Sequence, residues 1–328
     1  MGAGCVGGYV GGCLRAAGVD VHFVGRPRML ESWRAHGLRL TDQDGRDERC
    51  IPADLRLSTS VPDQVHPALV LLTVKCGATA EAARALGATL PAGTPVLSLQ
   101  NGLGHAETGR REAPHLRWLS GMVPYNIAEV GPGHLHRGTS GILAAQDDPA
   151  LRPWRPVFEA ARLALVLHTD LLPVQWGKLL LNLNNPVNAL SGLPLRAELM
   201  QRGYRQVLAG LQREALTALT AAGIAPAQLA AVAPRRLPRL LSLPDWIFRR
   251  LASRMLRIDP EARSSMADDL AQGRPTEVDA LCGEVVRLSR QHGQAAPLNE
   301  RIQALVEAWP RDPRPLTAEA LRQRLGLR

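Results

Sequence analysis

The chain begins with a glycine pattern that restricts its fold more than any other feature of the sequence. Gly2, Gly4 and Gly7 form the spacing G-x-G-x-x-G, and residues 5–17 have the composition and period of a helix that leaves this turn. In dinucleotide-binding folds the same spacing lies between a strand and a helix, where glycine lets the backbone approach a pyrophosphate. Here the preceding strand is missing. Because the chain contains 30 glycines, the pattern alone is weak evidence.

Strand-sized apolar runs and helical segments alternate after this turn. Residues 68–74, ALVLLTV, form a continuous apolar run that is typical of a strand buried on both faces. The sequence predicts strands at 19–25, 68–74 and 94–99, helices at 28–36, 78–90 and 153–165, and a hairpin around Asp44 and Gly45 within 37–51. This alternation predicts a doubly wound parallel sheet.

The pattern changes in the later part of the chain. Residues 116–145 contain short β runs separated by glycine, which we expect to extend the sheet as antiparallel strands. From residue 175 onward the period is almost entirely helical. We therefore predict an α/β fold, with a Rossmann-like dinucleotide-binding domain at 1–171 followed by an all-helical C-terminal domain at 172–328. The active site is expected in the cleft between these domains.

The missing first strand would be the central strand of such a sheet. Without it, neighbouring strands keep unpaired backbone groups, each of which costs about 1–3 kcal/mol when buried. Several such losses are large against a total stability of about 5–15 kcal/mol. We therefore expect the natural chain to begin several residues upstream, with Met1 standing where a late residue of that strand would be.

Charge and composition argue against several classes of partner. The formal net charge is +9, but the arginines are spread along the chain and only 4% of residues are aromatic, so we expect no nucleic-acid partner. No apolar run approaches the length of a membrane span and no secretion signal is present, so we expect a soluble, cytoplasmic protein. Residues 237–257 are basic, but Pro238 and Pro244 interrupt them, which favours a surface or subunit-contact segment over a membrane helix.

Cysteine and histidine give no sign of a metal centre. The five cysteines are scattered without a C-x-x-C pair, which predicts free thiols. His134 and His136 would lie on one side of a strand, but no third ligand accompanies them, so we expect no metal. The six tryptophans are dispersed, and we expect them to pack in the core.

Lysine is rare in this chain. Lys75 and Lys178 are the only lysines among 39 basic residues, and the rest are arginine. A lysine ammonium can exchange its proton when its surroundings shift its pKa, whereas a guanidinium is effectively never deprotonated. The two positions are therefore candidates for a role that arginine cannot fill, although chance survival of two lysines is the alternative.

Three polar residues follow predicted strands. Arg26 stands where an NAD-specific site would place an acidic residue, and its guanidinium could pair with a 2′-phosphate, so the predicted cofactor is NADP(H). Lys75 and Asn101 come directly after the next two strands, and carboxyl ends of strands face the ligand in open α/β sheets. The alternative for all three is a polar side chain in a solvated loop.

The stretch WGKLLLNLNNP carries a second set of polar residues. Lys178, Asn182 and Asn185 fall near one stripe of a helix that is otherwise apolar. An ammonium and two amides are costly to bury without partners. A bound anionic, hydroxylated substrate would supply those partners.

The order of the motifs resembles one known family. GAGCVGG, a strand-end arginine, TVK, QNGLG, WGKLLLN and SSMADDLAQGRPTEVD are similar to the blocks of ketopantoate reductases (2-dehydropantoate 2-reductases), over residues 2 to about 307. The resemblance implies reduction of 2-dehydropantoate to (R)-pantoate with NADPH, in pantothenate and coenzyme A biosynthesis. It also implies that the helical domain binds substrate and forms the contact of a homodimer.

The resemblance further implies roles for individual residues. Lys178 matches the proton donor, and Gly2, Gly4 and Gly7 match the pyrophosphate turn. The residues matched to the lining of the cofactor site and the reacting centre are Lys75 and Asn101, and those matched to contacts with substrate or the nicotinamide end are Asn182, Ser265 and Glu277. The next asparagine of the family falls at Asn184 or Asn185, where the spacing is one residue short; we favour Asn185.

General acid catalysis agrees with the role implied for Lys178. Hydride addition to a ketone leaves negative charge on oxygen, and an ammonium can both stabilise that charge and give up a proton. Two alternatives remain open at this point. One is a reductase of another small 2-oxo acid on the same fold, and the other is an NADP-binding sensor without catalysis.

Overall fold

The computed structural model describes residues 1–63, 65–252 and 261–327. The chain divides into two compact units, Met1–Leu171 and Leu172–Arg328. The first combines strands with helices, and the second is helical, which confirms the predicted fold class. In the described ranges no helix is long and apolar enough to cross a membrane. Residues 253–257 of the predicted basic segment lie outside the described residues.

The elements of the first unit follow the predicted alternation. Its strands are β1 (His22–Val24), β2 (Leu38–Asp42), β3 (Asp47–Cys50), β4 (Arg56–Ser58), β5 (Val70–Leu72), β6 (Pro95–Ser98), β7 (Arg117–Met122), β8 (Ile127–Gly131), β9 (His134–Arg137), β10 (Leu143–Gln146) and β11 (Leu165–His168). Its α-helices are α1 (Cys5–Ala16), α2 (Pro27–His36), α3 (Thr79–Thr89), α4 (His105–Glu112) and α5 (Trp154–Ala160), and short 3-10 turns lie at Pro52–Asp54 and Cys76–Ala78.

The main sheet has the strand order β11-β10-β7-β6-β5. Strands β5, β6 and β7 are parallel, which confirms the predicted parallel core. The antiparallel extension is confirmed for β10, which pairs with β7 in that sense. The predicted antiparallel extension is wrong for β7, which is parallel to β6. It is also wrong for β8 and β9, which do not extend the main sheet but lie in a separate sheet of order β3-β2-β9-β8.

Close packing on α1 accounts for this second sheet. Leu40 of β2 and Leu135 of β9 are fully buried. A Cβ at Gly12 would lie 2.9 Å from Leu40 Cδ1, and a Cβ at Gly8 would lie 2.7 Å from Leu135 Cδ1. The glycines of α1 therefore allow the second sheet to pack closer to the helix than a side chain at either position would permit without a shift of these leucines.

The predicted helix at 153–165 is too long. Helix α5 ends at Ala160, and Leu165–His168 forms β11, parallel to β10. Arg162 between them has a φ of +54°, a left-handed conformation that ends the helical path. Pairing with β10 satisfies the backbone groups of β11, so tertiary contact decides a segment whose sequence is compatible with either structure.

Met1 and Gly2 lie between the ends of β1 and β5. The Met1 nitrogen donates to Leu71 O at 2.9 Å, and Met1 O accepts from the Thr73 N–H at 2.9 Å. On the other side, Gly2 N donates to Val24 O at 2.9 Å. Strand β1 pairs with β4 in a sheet of its own, so these backbone bonds link the ends of β1 and β5.

The glycine turn is packed tightly against the end of β5. Thr73 Oγ1 donates to Gly2 O at 2.8 Å, and Gly2 has a φ of +99°. A Cβ at Gly7 would overlap both Gly2 O and Thr73 Oγ1, whereas a Cβ at Gly4 would meet nothing within 4 Å. Gly7 is thus required by packing, and the space beside Gly4 is open.

A buried ionic network stabilises the predicted hairpin, in which β2 and β3 pair in antiparallel fashion. Asp42 accepts from the Arg137 guanidinium at 2.8 Å, from Arg46 Nε at 3.4 Å and from the Tyr9 hydroxyl at 3.2 Å. Burial alone would raise the pKa of Asp42, but the Arg46 backbone N–H and the Arg137 charge outweigh it, so the pKa lies below its usual value.

The second unit is built from helices around α9. They are α6 (Leu172–Asn182), α7 (Asn184–Ser191), α8 (Leu195–Leu199), α9 (Arg202–Ala221), α10 (Leu237–Leu241), α11 (Asp245–Leu251), α12 (Ser265–Ala271), α13 (Glu284–Gln291), α14 (Pro297–Ala308) and α15 (Ala318–Leu325), with 3-10 turns at Pro234–Arg236 and Trp309–Arg311 and a π-helix at Asp279–Gly283. Helix α9 is 20 residues long and packs against α7, α8, α10, α13, α14 and α15.

A buried arginine connects α9 to its neighbours. Arg205 is fully buried and donates to the backbone oxygens of Leu199, Leu241 and Leu243, each within 3.1 Å. The same guanidinium pairs with Asp245 at 2.8 Å. Helices α8, α10 and α11 are therefore held to α9 by one side chain.

The prolines divide the basic segment as predicted. Pro238 lies in the first turn of α10, and Pro244 is the N-cap of α11. The prediction that the tryptophans pack is wrong for Trp246, which is 73% exposed in α11. Trp33, Trp118 and Trp176 are buried.

We predict that Gly7→Ala destabilises the protein, because the added methyl group must displace Gly2 O and Thr73 Oγ1. The expected loss is about 1–3 kcal/mol, typical of overpacking, measured as a lower denaturant midpoint. Gly4→Ala is the matched control and should change stability by less than about 0.5 kcal/mol. Equal losses in the two variants would contradict this account of the turn.

We also predict that Asp42→Ala destabilises the protein by about 3–5 kcal/mol, because it leaves Arg46 and Arg137 buried without their shared carboxylate. Chemical denaturation measures the loss. Asp44→Ala is the control: Asp44 also pairs with Arg137, but its side chain is 53% exposed, and we expect a cost below about 1 kcal/mol. A small effect of Asp42→Ala would show that the network contributes little.

Candidate functional site

The glycine turn presents the N-terminus of α1. Gly4 is the N-cap of this helix, and no side chain caps it. The open space beside Gly4 and the positive end of the helix dipole together suit a phosphate group. The structure thus brings Gly2, Gly4 and Gly7 into one turn whose shape fits a dinucleotide pyrophosphate.

Arg26 lies at the carboxyl end of β1, directly before α2. It is exposed, and its guanidinium has no hydrogen-bond or ion-pair partner among the described residues. The neighbouring Gly25 is held by a backbone bond to Ser58 O at 3.0 Å. Arg26 is therefore a cation on a fixed backbone, available to an anionic ligand.

Lys75 and Asn101 follow β5 and β6, and the structure brings their loops together. Cys76 Sγ donates to Asn101 O at 3.0 Å, next to Lys75 in the chain. The Gln100 amide joins the same two loops through Val74 O at 2.9 Å. Lys75 and Asn101 are both half-buried. Parallel neighbouring strands end at the same sheet edge, which is why the sequence could predict this pairing.

Gln100 is a residue that the sequence interpretation missed. Its side chain also accepts from Ser98 Oγ and donates to Thr79 Oγ1, each at 2.8 Å, and it is 6% exposed. The available signal was its position directly after a buried strand, beside Asn101. Gln100 therefore fixes the loop that carries Asn101.

Lys178 and Asn182 lie one turn apart on α6 and are both half-buried. The neighbours of Lys178 fix the orientation of the helix. Trp176 is 2% exposed, and a Cβ at Gly177 would overlap Ala227 O. Close packing of this side of α6 leaves the lysine and the asparagine on a less buried part of its surface.

The predicted stripe is divided between two helices. Helix α6 ends at Asn182 and α7 begins at Asn184, with Leu183 between them at φ −60° and ψ −10°, so Lys178 and Asn182 lie on α6 and Asn185 lies on α7. The Asn184 amide donates to Glu198 Oε2 at 3.0 Å inside the unit. The Asn185 amide has no hydrogen bond in the part of the chain that the structure describes.

The segment SSMADDLAQGRPTEVD packs on α7. Ser264 is the N-cap of α12 and accepts from the Ala267 N–H at 3.2 Å. Its own N–H donates to Asn188 Oδ1 at 2.9 Å, and its hydroxyl donates to Asn185 O at 3.4 Å. Ser265, at the exposed first position of α12, is thereby brought close to Asn185.

Glu277 ends the same block. It is half-buried and stands two residues before the π-helix Asp279–Gly283. Such helices are rare and are frequent at functional sites. Between α12 and Glu277, Arg274 pairs with the buried Asp269 at 3.0 Å, which holds the turn.

Glu198 was also missed. Its side chain is fully buried in α8 and receives hydrogen bonds from the amides of Asn184 and Asn188. Burial raises its pKa to about 8, even though the two amide hydrogen bonds act in the opposite direction. Its position between Leu195 and Leu199 in the sequence gives only a faint signal of burial.

His134 and His136 have a simple structural partner. Both rings make a hydrogen bond of 2.8 Å with Thr41 Oγ1. Across the described residues, no group of three or more His, Cys, Asp or Glu side chains is arranged to hold a metal ion.

Comparison with known proteins places both units in one family. The profile described as "Ketopantoate reductase PanE/ApbA" matches residues 1–149, and its C-terminal counterpart matches residues 170–309. The 2-dehydropantoate 2-reductase of Halobacterium salinarum is 29% identical over 319 residues, which cover 95% of this chain and 98% of that protein.

Solved structures agree with this relationship. The PanE/ApbA family ketopantoate reductase from Ralstonia eutropha JMP134 is 30% identical with a TM-score of 0.78, covering 94% of this chain and 96% of its own. The fold is also shared by D-mandelate dehydrogenase, solved with NADH and anilino(oxo)acetate, at 21% identity and a TM-score of 0.74, covering 94% and 96% of the two chains. Two family profiles that together span most of the chain show that it belongs to the ketopantoate reductases, a family of dinucleotide-binding oxidoreductases.

Proposed function

We propose that this protein reduces 2-dehydropantoate to (R)-pantoate with NADPH, a step of pantothenate biosynthesis. The observation that carries the proposal is the half-buried Lys178 with Asn182 one turn later, on a packed apolar helix inside the region matched by the family's C-terminal profile. The name of the Halobacterium relative supports the choice of substrate.

In this proposal the first unit binds NADPH. The turn of Gly2, Gly4 and Gly7 holds the pyrophosphate at the N-terminus of α1, and Arg26 pairs with the 2′-phosphate. Lys75 and Asn101 line the cofactor at the ends of β5 and β6. When bound, NADPH supplies the hydride. The open space beside Gly4 supports this assignment, as does Arg26, which has no side-chain partner within residues 1–63, 65–252 and 261–327.

Lys178 acts as the proton donor. The ketone oxygen gains negative charge as its carbon is reduced, and the Lys178 ammonium stabilises that charge and then gives its proton to the oxygen. An arginine at this position would supply the charge without the proton. This difference is the physical reason for a lysine in a chain that otherwise uses arginine almost throughout.

The second unit supplies the substrate contacts. Asn182, Asn185 and Ser265 offer amide and hydroxyl groups to the carboxylate and hydroxyl of the substrate, and Glu277 contacts the substrate or the nicotinamide end. Asn185 is preferred to Asn184 because the Asn184 amide is already bound to Glu198. The cleft between the domains, the homodimer and the cytoplasmic location stay predictions.

The direct experiment is NADPH oxidation on addition of 2-dehydropantoate, alongside a panel of other small 2-oxo acids. Turnover fastest with 2-dehydropantoate supports the proposal. If another 2-oxo acid is turned over faster, that acid would replace 2-dehydropantoate as the proposed substrate. NADPH binding without turnover of any member would favour the non-catalytic sensor.

We predict that Lys178→Ala lowers kcat/KM for the 2-oxo acid by about 10²–10⁴-fold, as expected for loss of a general acid. Fluorescence titration should still detect NADPH, because the proposed pyrophosphate contacts belong to the glycine turn. Lys178→Arg is the matched control: it keeps the charge but cannot give up a proton, so it should also be strongly impaired. Full activity of Lys178→Arg would exclude the proton-donor role.

We predict that Arg26→Ala weakens NADPH binding by about 10–100-fold, the effect of losing one charge-assisted hydrogen-bonded pair. NADH, which lacks the 2′-phosphate, should be affected by less than about 3-fold. Titration of both cofactors checks the difference. Arg34→Ala, on the exposed surface of α2, is the matched control and should leave both affinities unchanged. Equal weakening of NADPH and NADH would rule out a 2′-phosphate contact.

A further inference from the structure

Glu198 is a carboxyl group in an unusual environment. Its side chain is fully buried in the short helix α8. Oε2 accepts from Asn184 Nδ2 at 3.0 Å and from Asn188 Nδ2 at 3.4 Å, both on α7. Glu198 forms no ion pair among the described residues, whereas buried carboxylates are almost always paired with a cation.

Among the described residues, the groups that face Glu198 provide no positive charge. From α7 they are the two neutral amides of Asn184 and Asn188. From α9 the nearby titratable group is the Tyr204 phenol, which donates to Leu316 O at 2.7 Å. Arg205, also on α9, turns its guanidinium toward backbone oxygens and Asp245. Burial without a counter-charge is also the reason that the pKa of Glu198 is raised.

Two oxygen atoms in this cluster lack a donor among the described residues. Glu198 Oε1 and Asn184 Oδ1 are both buried, and neither has a hydrogen-bond partner there. They belong to the carboxyl and amide groups that are already joined through Oε2 and Nδ2. The cluster therefore needs one more proton, because two buried acceptors without a donor are costly and an O–H group would serve both groups at once.

We propose that Glu198 is a neutral carboxylic acid in the working protein, that its O–H is donated to Asn184 Oδ1, and that this acid–amide pair is a positioning device for the substrate-binding residues. Glu198 is linked to α7 through the side-chain amides of Asn184 and Asn188. A proton on Glu198 satisfies both oxygens without any additional charge.

The connection to the substrate site runs through Asn188. This residue is fully buried, donates to Glu198, and accepts the Ser264 N–H at 2.9 Å. Ser264 in turn begins α12 and donates to Asn185 O. Glu198 thus holds in place the two segments that carry Asn185 and Ser265. Its positioning role in catalysis rests on the proposed function.

The charge state predicts how stability depends on pH. The pKa of Glu198 is raised from 4.5 in the unfolded chain to about 8 in the folded protein. The stabilisation that the protonated acid gives to the folded state is therefore complete below pH 4.5 and is lost as the pH rises through about 8. Glu198→Gln keeps the shape and an N–H donor but cannot ionise. Relative to the parent protein, this variant should gain thermal stability between pH about 5 and about 8, with a Tm higher by about 4 °C or more at the upper end.

The experiment compares the full-length parent protein with Glu198→Gln, Glu198→Ala and the control Glu214→Gln. Thermal unfolding is followed from pH 5 to pH 8, and infrared spectra at neutral pH report the carbonyl stretch of a protonated carboxylic acid. That band should be present in the parent and absent in Glu198→Gln. Glu214 accepts from the backbone N–H groups of Leu298 and Asn299 at the start of α14, so Glu214→Gln should lower Tm across the range.

Kinetics test the positioning role separately. Glu198→Gln should keep kcat/KM within about 3-fold of the parent, while Glu198→Ala, which removes the acceptor of the Asn184 amide and one of the two acceptors of the Asn188 amide, should lose about 10–100-fold with NADPH affinity unchanged. A folded Glu198→Ala with full kcat/KM would overturn the positioning role.

Loss of Tm in Glu198→Gln throughout the range, or a parent spectrum without the acid band, would overturn the neutral acid. Both measurements are independent of turnover. If the proposed reductase activity fails, the charge state of Glu198 is still decided.

Discussion

The first unit depends on a few backbone hydrogen bonds made by Met1 and Gly2. These two residues bond to Leu71 and Thr73 on one side and to Val24 on the other, and they connect the ends of β5 and β1. The contact requires the close approach of Gly2 and Gly7, since the backbone and Thr73 Oγ1 fill the space that a side chain at Gly7 would need. The same turn leaves room beside Gly4, so one arrangement of glycines combines close packing with the open space that the proposed pyrophosphate site needs.

The two units treat buried charge in opposite ways. In the first unit Asp42 is buried together with Arg46 and Arg137, so its negative charge is neutralised and its pKa is lowered. In the second unit Glu198 is buried among neutral amides, and its pKa is raised. A buried carboxyl needs either a counter-charge or a proton. Each unit uses one of these solutions.

Much of the fold could be predicted because it is encoded locally. The apolar runs, the glycine spacing and the Asp44–Gly45 hairpin each predict an element from neighbouring residues alone. The errors lie where distant pairing decides: Leu165–His168 joins β10 as a strand, and β9 joins β2 because Gly8 and Gly12 leave room for a sheet on α1. The hydrophobic period along a single segment carries no information about such distant contacts.

The same division applies to the candidate site. The sequence by itself determined which residue types are present and at which strand ends, including Lys75 beside Asn101 and Lys178 one turn from Asn182. Only the tertiary structure decided that α7 begins after Leu183, that the Asn184 amide is engaged by Glu198, and that Glu198 has no counter-charge in the part of the chain that the structure describes. The physical reason is that the partners and protonation of a buried polar group depend on side chains brought to it from other helices, whereas spacing along one helix or strand is fixed by backbone geometry.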